Sequence, residues 1–152
     1  MAGYLATLFS SPTGIISHAW GEFVCADAGL DHQLIANRSG YQAWERFAVE
    51  NLGDNKIALK AFNGKYVCAE QGLGWLMYAN RDVIGPWETF ELYTVRPPVF
   101  GDYGDFGLKN IGSGYWVCAD STRGNQLIAD REAYGSWEKF YWSRGGLSLS
   151  GP

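Results

Sequence analysis

Clusters of basic residues are missing from this sequence. Its 152 residues carry 12 lysines and arginines against 16 aspartates and glutamates, a formal net charge of -4 at pH 7. Proteins that bind DNA, RNA or heparin lay a stripe of positive charge along the polyanion. The lack of such a stripe argues against a nucleic-acid partner.

Long apolar runs and long helical periods are also missing. No apolar stretch reaches the about 20 residues that a membrane-spanning helix needs, so we expect no membrane insertion. No stretch of eleven residues keeps the apolar period of a helix. Residues 1–4 lack the charged and then apolar pattern of a signal peptide, which leaves the localisation open with a preference for the cytoplasm.

Histidine is scarce, and this limits the catalytic chemistry that the chain can offer. His18 and His32 have no repeated partner, and no nucleophile stands at a spacing that indicates a catalytic group. Glycoside hydrolysis needs one asymmetric carboxylate pair in a cleft, whereas the acidic residues here recur symmetrically. The sequence also lacks metal-ligand spacings and a phosphate-cradling glycine loop. We therefore expect a non-catalytic protein with no metal and no cofactor.

What the sequence does contain is one pattern that occurs three times. In each copy an aromatic residue leads into Val-Cys-Ala and an acidic residue, Ala-Asn-Arg or Ala-Asp-Arg follows, and Trp-Glu-x-Phe closes the copy. The tryptophan follows the cysteine by 19 residues in every copy, and successive cysteines are 43 and then 50 residues apart. An internal repeat this regular determines the architecture.

The repeat predicts an all-β fold. Each copy contains four short aromatic and β-branched runs separated by Gly, Asn and Asp turns, which indicates twelve strands in all. Three copies are too few for a propeller, and an open solenoid would leave two unsatisfied ends. The remaining closed solution is a β-trefoil, a six-stranded barrel with a hairpin cap. We expect one domain over 1–152, with repeats at about 14–55, 56–104 and 105–145 after an N-terminal extension at 1–13.

Three shorter features lie at the edges of these repeats. The extension contains a candidate edge strand at 4–9, and 96–104 is interpreted as an insertion in the second repeat. The residues from 145 onward form a polar tail.

The three motifs resemble the fascin-like branch of the β-trefoil superfamily over residues 14–142. That branch includes actin-bundling proteins, carbohydrate-binding modules of glycan hydrolases and free-standing lectins, and one family of β-glucan-binding trefoils carries a Trp and a Glu in each of three equivalent sites. The resemblance implies a multivalent lectin or carbohydrate-binding module for β-glucan or neutral hexose glycans. The alternative is an actin-bundling or other protein-interaction trefoil, a role in which this acidic single domain would have to form a homodimer.

The tryptophans of the closing motif are the first candidates for sugar contact. In an extended strand, residues three apart face opposite ways, so these rings should point away from the phenylalanines that anchor the core. The tryptophans are Trp44, Trp87 and Trp137, and the core anchors are Phe47, Phe90 and Phe140. An indole on the rim offers a flat apolar face and an N–H to a pyranose ring. In the alternative interpretation each ring packs on a loop and plugs one end of the barrel.

The glutamates beside them, Glu45, Glu88 and Glu138, are the second candidates. A carboxylate can accept two sugar hydroxyls in charge-assisted bonds. Strand alternation places these glutamates on the same face as the phenylalanines, so they could instead turn inward. A buried carboxylate must then cap backbone N–H groups or pair with the arginine of its repeat, Arg38, Arg81 or Arg131.

Further site candidates flank these pairs. Asp27, Glu70 and Asp120 should lie on the outward strand face. Tyr41 and Tyr134 are expected to form a second aromatic wall, and Ile84 at the same position predicts a different or weaker site in the second repeat. Asn37, Asn80 and Asp130 are interpreted as turn residues.

The three cysteines, Cys25, Cys68 and Cys118, are predicted to be free thiols. Equivalent positions of a three-fold object should be farther apart than the about 7 Å that a disulfide allows between Cα atoms. Strand alternation assigns Val67 and Ala69 to the core and Cys68 to the opposite face. Free thiols favour a reducing compartment.

Overall fold

The computed structural model describes residues 13–96 and 105–143. Twelve strands occupy these ranges: β1 (Ile15–Ser17), β2 (Phe23–Asp27), β3 (Gln33–Arg38), β4 (Ala48–Gly53), β5 (Lys56–Lys60), β6 (Tyr66–Glu70), β7 (Leu76–Arg81), β8 (Phe90–Arg96), β9 (Asp105–Asn110), β10 (Trp116–Asp120), β11 (Gln126–Arg131) and β12 (Phe140–Trp142). The predicted edge strand at 4–9, most of the insertion at 96–104 and the polar tail lie outside the described residues. The fold class of the described chain is all-β.

Six of the strands form a closed ring. Going round it, β1 pairs with β12, β12 with β9, β9 with β8, β8 with β5 and β5 with β4, all antiparallel. The ring closes through a backbone bridge between Thr13, two residues before β1, and Phe47, directly before β4. A closed ring leaves no unpaired sheet edge for another chain to add to.

The other six strands form three hairpins, β2–β3, β6–β7 and β10–β11. Each hairpin has a register shift after its first residue pair, at Phe23, Tyr66 or Trp116. Such a bulge bends a strand and re-aims its side chains. The aromatic residue that opens the Val-Cys-Ala motif therefore marks the bend in all three hairpins.

A cycle of backbone hydrogen bonds joins the three hairpins. The N–H of an alanine in β3, β7 or β11 donates to a carbonyl in the turn of another hairpin, over 2.9–3.0 Å. The pairs are Ala36 with Asn125, Ala79 with His32, and Ala129 with Trp75. The three acceptor residues have φ values of 63 to 75°, in the left-handed region that bulky side chains rarely adopt. Each hairpin thus depends on the turn of its neighbour.

One apolar core draws residues from all twelve strands. The predicted core anchors Phe47, Phe90 and Phe140 are each 0% exposed, so that prediction is confirmed. Phe106 stacks on Trp142 with ring centroids 3.8 Å apart. No helix in the described part of the chain is long and apolar enough to cross a membrane.

Candidate functional site

The Trp-Glu pair lies in a 3₁₀ turn in all three copies and not in an extended strand. The turns are Ala43–Glu45, Pro86–Glu88 and Ser136–Glu138. In each turn the glutamate Oε1 accepts a 2.7 Å hydrogen bond from the backbone N–H three residues earlier, of Gln42, Gly85 or Gly135. The strand alternation assumed for this motif is therefore wrong, and the capping alternative for the glutamates is the one observed.

Burial agrees with this capping role. Glu45, Glu88 and Glu138 are only 4%, 7% and 7% exposed. Burial raises the pKa of Glu138 above its usual value, against the N–H of Gly135, which acts to lower it. In the second copy Arg81 Nε also lies 3.7 Å from Glu88 Oε2. The backbone bond of each glutamate holds the turn that carries the neighbouring tryptophan.

Each tryptophan of the motif is half-buried against the turn between the first and second strands of another repeat. The contacts are Trp44 with Phe62 (centroids 6.0 Å apart, planes 22° apart), Trp87 with Gly112, and Trp137 with Trp20 (5.6 Å). A Cβ added to Gly112 would stand 1.9 Å from Trp87 Cδ1, so that ring lies directly on the glycine. The three contacts join each repeat to the following one and the third repeat back to the first. The rings are neither fully exposed nor part of the central core.

An arginine at the end of β3, β7 or β11 links the flanking candidates to this site. Its Nη2 pairs with the carboxylate that ends the preceding strand, and the pairs are Arg38–Asp27 (2.8 Å), Arg81–Glu70 (2.5 Å) and Arg131–Asp120 (2.5 Å). In the first and third copies the guanidinium carbon also stands over the tryptophan ring, 5.4 and 5.8 Å from its centroid. The acidic candidates on the outward face are thus engaged by arginine.

Asp120 shows how strongly such a carboxylate is held. It is 3% exposed, and its Oδ1 accepts bonds from the Thr122 N–H (2.9 Å) and hydroxyl (2.6 Å). Burial alone would raise the pKa of Asp120, but the Thr122 bonds and the charge of Arg131 outweigh it and hold that pKa below its usual value. The residue is therefore charged at neutral pH and structural in character.

The residues interpreted as turn residues lie within strands. Asn37, Asn80 and Asp130 occupy β3, β7 and β11 next to the arginine. Asn37 and Asp130 accept bonds from the adjacent arginine Nε over 3.1 and 2.9 Å, and the Cys68 thiol donates to Asn80 Oδ1 over 3.3 Å. The interpretation as turn residues is wrong because all three lie in strands, where their side chains accept hydrogen bonds from the neighbouring arginine or cysteine.

The cysteines lie on the strand face away from the apolar core, beside these polar side chains. All three are free and 0% exposed. Burial raises the pKa of Cys25 and Cys68 to about 11 and that of Cys118 to about 12, against the lowering effect of the nearby arginine. At neutral pH these thiols are protonated and unreactive.

Tyr41 and Tyr134 pack inward. Tyr134 lies against Gly107 and Trp116, with ring centroids 5.0 Å apart for the aromatic pair, and Tyr41 lies 5.7 Å from Phe23. Burial raises the pKa of Tyr134 to about 12. The tyrosines support the barrel wall, and Tyr41 is not among the residues that line the cleft beside Trp44.

That cleft is a candidate ligand site. It has a volume of about 430 Å³ and is lined by Arg38, Ser39, Gly40, Gln42, Ala43, Trp44 and Glu45. The volume falls in the range of small-molecule sites, about 300–1,000 Å³. Ser39 and Gln42 were not predicted as site residues, because they belong to the first copy alone and the repeated pattern does not mark them.

No protein-family model matches the chain, and no curated protein matches it. Among solved structures, the chain is similar to the crystal structure of a designed three-fold symmetric protein, ThreeFoil, with a TM-score of 0.72 and 15% sequence identity over 87% of this chain and 97% of that one. At this identity the likeness shows the fold alone. The chain has a β-trefoil-like fold with an internal repeat.

Proposed function

We propose that the chain is a fascin-like β-trefoil that binds carbohydrate and catalyses no reaction. The cleft beside Trp44 is its principal site. With further sites at Trp87 and Trp137, the chain has at most three. The expected ligands are β-glucan or neutral hexose glycans. The observation that supports this most is the cleft itself, where an indole, a guanidinium, an amide and a hydroxyl converge around about 430 Å³ of open space.

The polar groups of the cleft are available to a ligand. Among the described residues, the Trp44 indole N–H, the Ser39 hydroxyl and the Gln42 side-chain amide have no hydrogen-bond partner. A neutral sugar offers several hydroxyls that can donate to or accept from such groups, while the indole covers its C–H face. Arg38 is held over Trp44 by Asp27, so the two are pre-arranged before a ligand enters.

Retention on insoluble β-glucan, followed by calorimetric titration with a neutral β-glucan tetrasaccharide, tests the proposal. We expect weak binding of roughly 0.1–1 mM per site, raised by roughly 10²-fold on a multivalent surface. The variants Trp44→Ala and Gln42→Ala should lose binding at the first site. Gln71→Ala, at an exposed glutamine of another 3₁₀ turn, is the matched control and should bind as the wild type does.

Two results would count against the proposal. If Trp44→Ala still unfolds cooperatively and binds every glycan with unchanged affinity, the cleft is not the binding site. Retention on actin filaments with none on glucan would instead support the protein-interaction alternative.

A further inference from the structure

We propose that the cleft beside Trp44 continues into a second subsite that takes an acidic sugar residue, a uronate, between Arg46 and Lys60. This inference rests on the proposed carbohydrate function and specifies the class of glycan. It differs from the neutral-hexose expectation in requiring one carboxylate on the ligand.

A second cavity lies next to the first. It has a volume of about 240 Å³ and is lined by Ala43, Arg46, Ala48, Lys60, Ala61 and Phe62. Ala43 lines both cavities, and Phe62 stacks on Trp44 at 6.0 Å, so one extended ligand can occupy both. Three alanines and an aromatic ring give this cavity an apolar surface, with a cation from each of two neighbouring segments at its edge.

Among the described residues, both cations are free of carboxylate partners. Within 13–96 and 105–143, neither Arg46 nor Lys60 forms an ion pair, although Arg38, Lys65 and Arg81 all do. Arg46 instead stands over the Tyr41 ring at 5.6 Å, and Lys60 over the Tyr66 ring at 5.1 Å. Their charges are therefore available to an anionic ligand.

The acidic groups closest along these elements are occupied elsewhere. Glu50, on the same strand as Ala48, accepts a 2.9 Å bond from the Tyr66 hydroxyl, and Glu45 is engaged by the Gln42 N–H. Neither of them lines the second cavity. A carboxylate on a sugar ring would meet two cations there and no lining acid, and a guanidinium fork binds a carboxylate through two charge-assisted bonds.

The pair of cations is specific to the first junction between repeats. At the position of Arg46, directly after the 3₁₀ turn, the other copies have Thr89 and Lys139. At the position of Lys60, opposite the leading aromatic residue, they have Lys109 and Ile16. At these two positions each of the other junctions therefore has one cation, and Lys139 lies 3.9 Å from Asp105. We expect a single acidic-sugar subsite per chain.

The full chain is titrated with a tetragalacturonate and with the neutral β-glucan tetrasaccharide, at low and at high sodium chloride. We expect the acidic tetramer to bind more tightly at low salt and to lose that advantage as salt screens the charges. Lys60→Gln and Arg46→Gln should each weaken tetragalacturonate binding about tenfold and weaken binding of the neutral ligand far less, because only the uronate loses a charge partner. Lys109→Gln removes the corresponding lysine, which stands over Trp116 at 5.7 Å, and should change neither affinity.

The outcomes separate the two proposals. If the chain binds the neutral tetramer with no preference for the uronate, the inference is overturned and the proposed function stands. The same holds if the chain prefers the uronate but Lys60→Gln and Arg46→Gln, at wild-type melting temperature, leave that preference unaffected. Binding of neither tetramer overturns both. A sulfated galactan oligosaccharide that binds as tightly as the uronate overturns the assignment to a carboxylate.

Discussion

Tyr134 lies directly against the backbone of Gly107, and a Cβ added to that glycine would stand 2.4 Å from Tyr134 Cε1. Tyr41 packs on Gly14 in the same way, and a Cβ added to that glycine would stand 3.0 Å from Tyr41 Cδ1. In the second repeat the corresponding positions are Ile84 and Ala58. A large ring thus accompanies a glycine and a smaller side chain accompanies an alanine, which keeps the wall of the barrel filled in each repeat.

We predict that Gly107→Ala destabilises the fold by about 1–3 kcal/mol, because Tyr134 must leave its position to make room. The double variant Gly107→Ala/Tyr134→Ile, which reproduces the second repeat, should recover part of that loss. Urea unfolding measures both. Gly72→Ala, where an added Cβ meets nothing within 4 Å, is the control and should change stability by less than about 0.5 kcal/mol. Wild-type stability in Gly107→Ala would contradict the packing argument.

Much of this fold was predictable from the sequence because the repeat is a local and regular signal. The four runs in each copy correspond to strands, and the Val-x-Ala pattern assigned Val67 and Ala69 correctly to the core. The 3₁₀ turn was missed because three residues are too short for a period to be recognised. The extended-strand geometry assumed for the Trp-Glu pair was therefore wrong, although the tryptophans lie outside the central core and the glutamates are buried, as their capping alternative had it.

The site was less predictable because its contacts join distant parts of the chain. Nothing local indicates that Trp87 lies on Gly112, 25 residues later, or that Tyr134 packs on Gly107. The pairing of Arg38 with Asp27 required the register of the β2–β3 hairpin. The sequence motif marks which positions recur, but the turn geometry decides which of them can meet a ligand.

A second prediction concerns the capping glutamates. Glu138→Ala removes the acceptor for the Gly135 N–H and should cost about 1–3 kcal/mol of unfolding free energy. Glu138→Gln keeps an oxygen at the same place and should cost less. Urea unfolding of the two variants at pH 7 measures the difference. If both variants lose a negligible amount of unfolding free energy, the bond contributes nothing to stability. The Glu138 carboxylate would then be free to contact a ligand.

The third prediction is a pH dependence that originates at Asp120. Its pKa is lowered in the folded state, so the carboxylate stabilises the fold above its unfolded pKa of about 3.9, and this contribution is lost as the pH falls through the folded value. Asp120→Asn should therefore be less stable than wild type at pH 7, and the difference should shrink below about pH 4. Urea unfolding from pH 7 to pH 2.5 tests it, and a difference that does not vary with pH would contradict it.

The fourth prediction concerns the thiols. With pKa values of about 11 for Cys25 and Cys68 and about 12 for Cys118, at most about one thiol in a thousand is ionised at pH 8, and all three side chains are buried. Iodoacetamide should leave the native chain unmodified over a period in which the urea-unfolded chain gains three labels by mass spectrometry. Rapid labelling of any thiol in the native chain would place it in a different environment.

The final prediction separates two of the three tryptophans, Trp87 and Trp44, by stability. Trp87 lies on Gly112, meets Trp75 edge-on at 6.2 Å, and its carbonyl accepts a 3.0 Å bond from the Asn110 amide. Trp87→Ala opens a gap above a glycine that has no side chain to fill it, so we expect a loss of about 2–4 kcal/mol.

Trp44→Ala should cost less, about 1–2 kcal/mol, because its main neighbour Phe62 is itself 40% exposed and can move into the space. Urea unfolding ranks the variants, and glycan binding by the folded fraction of each shows which ring the ligand needs. Equal losses for the two would contradict the ranking. A Trp87→Ala variant that is as stable as wild type would show that the ring is an exposed platform after all, because a ring that fills the space above Gly112 cannot be removed without cost.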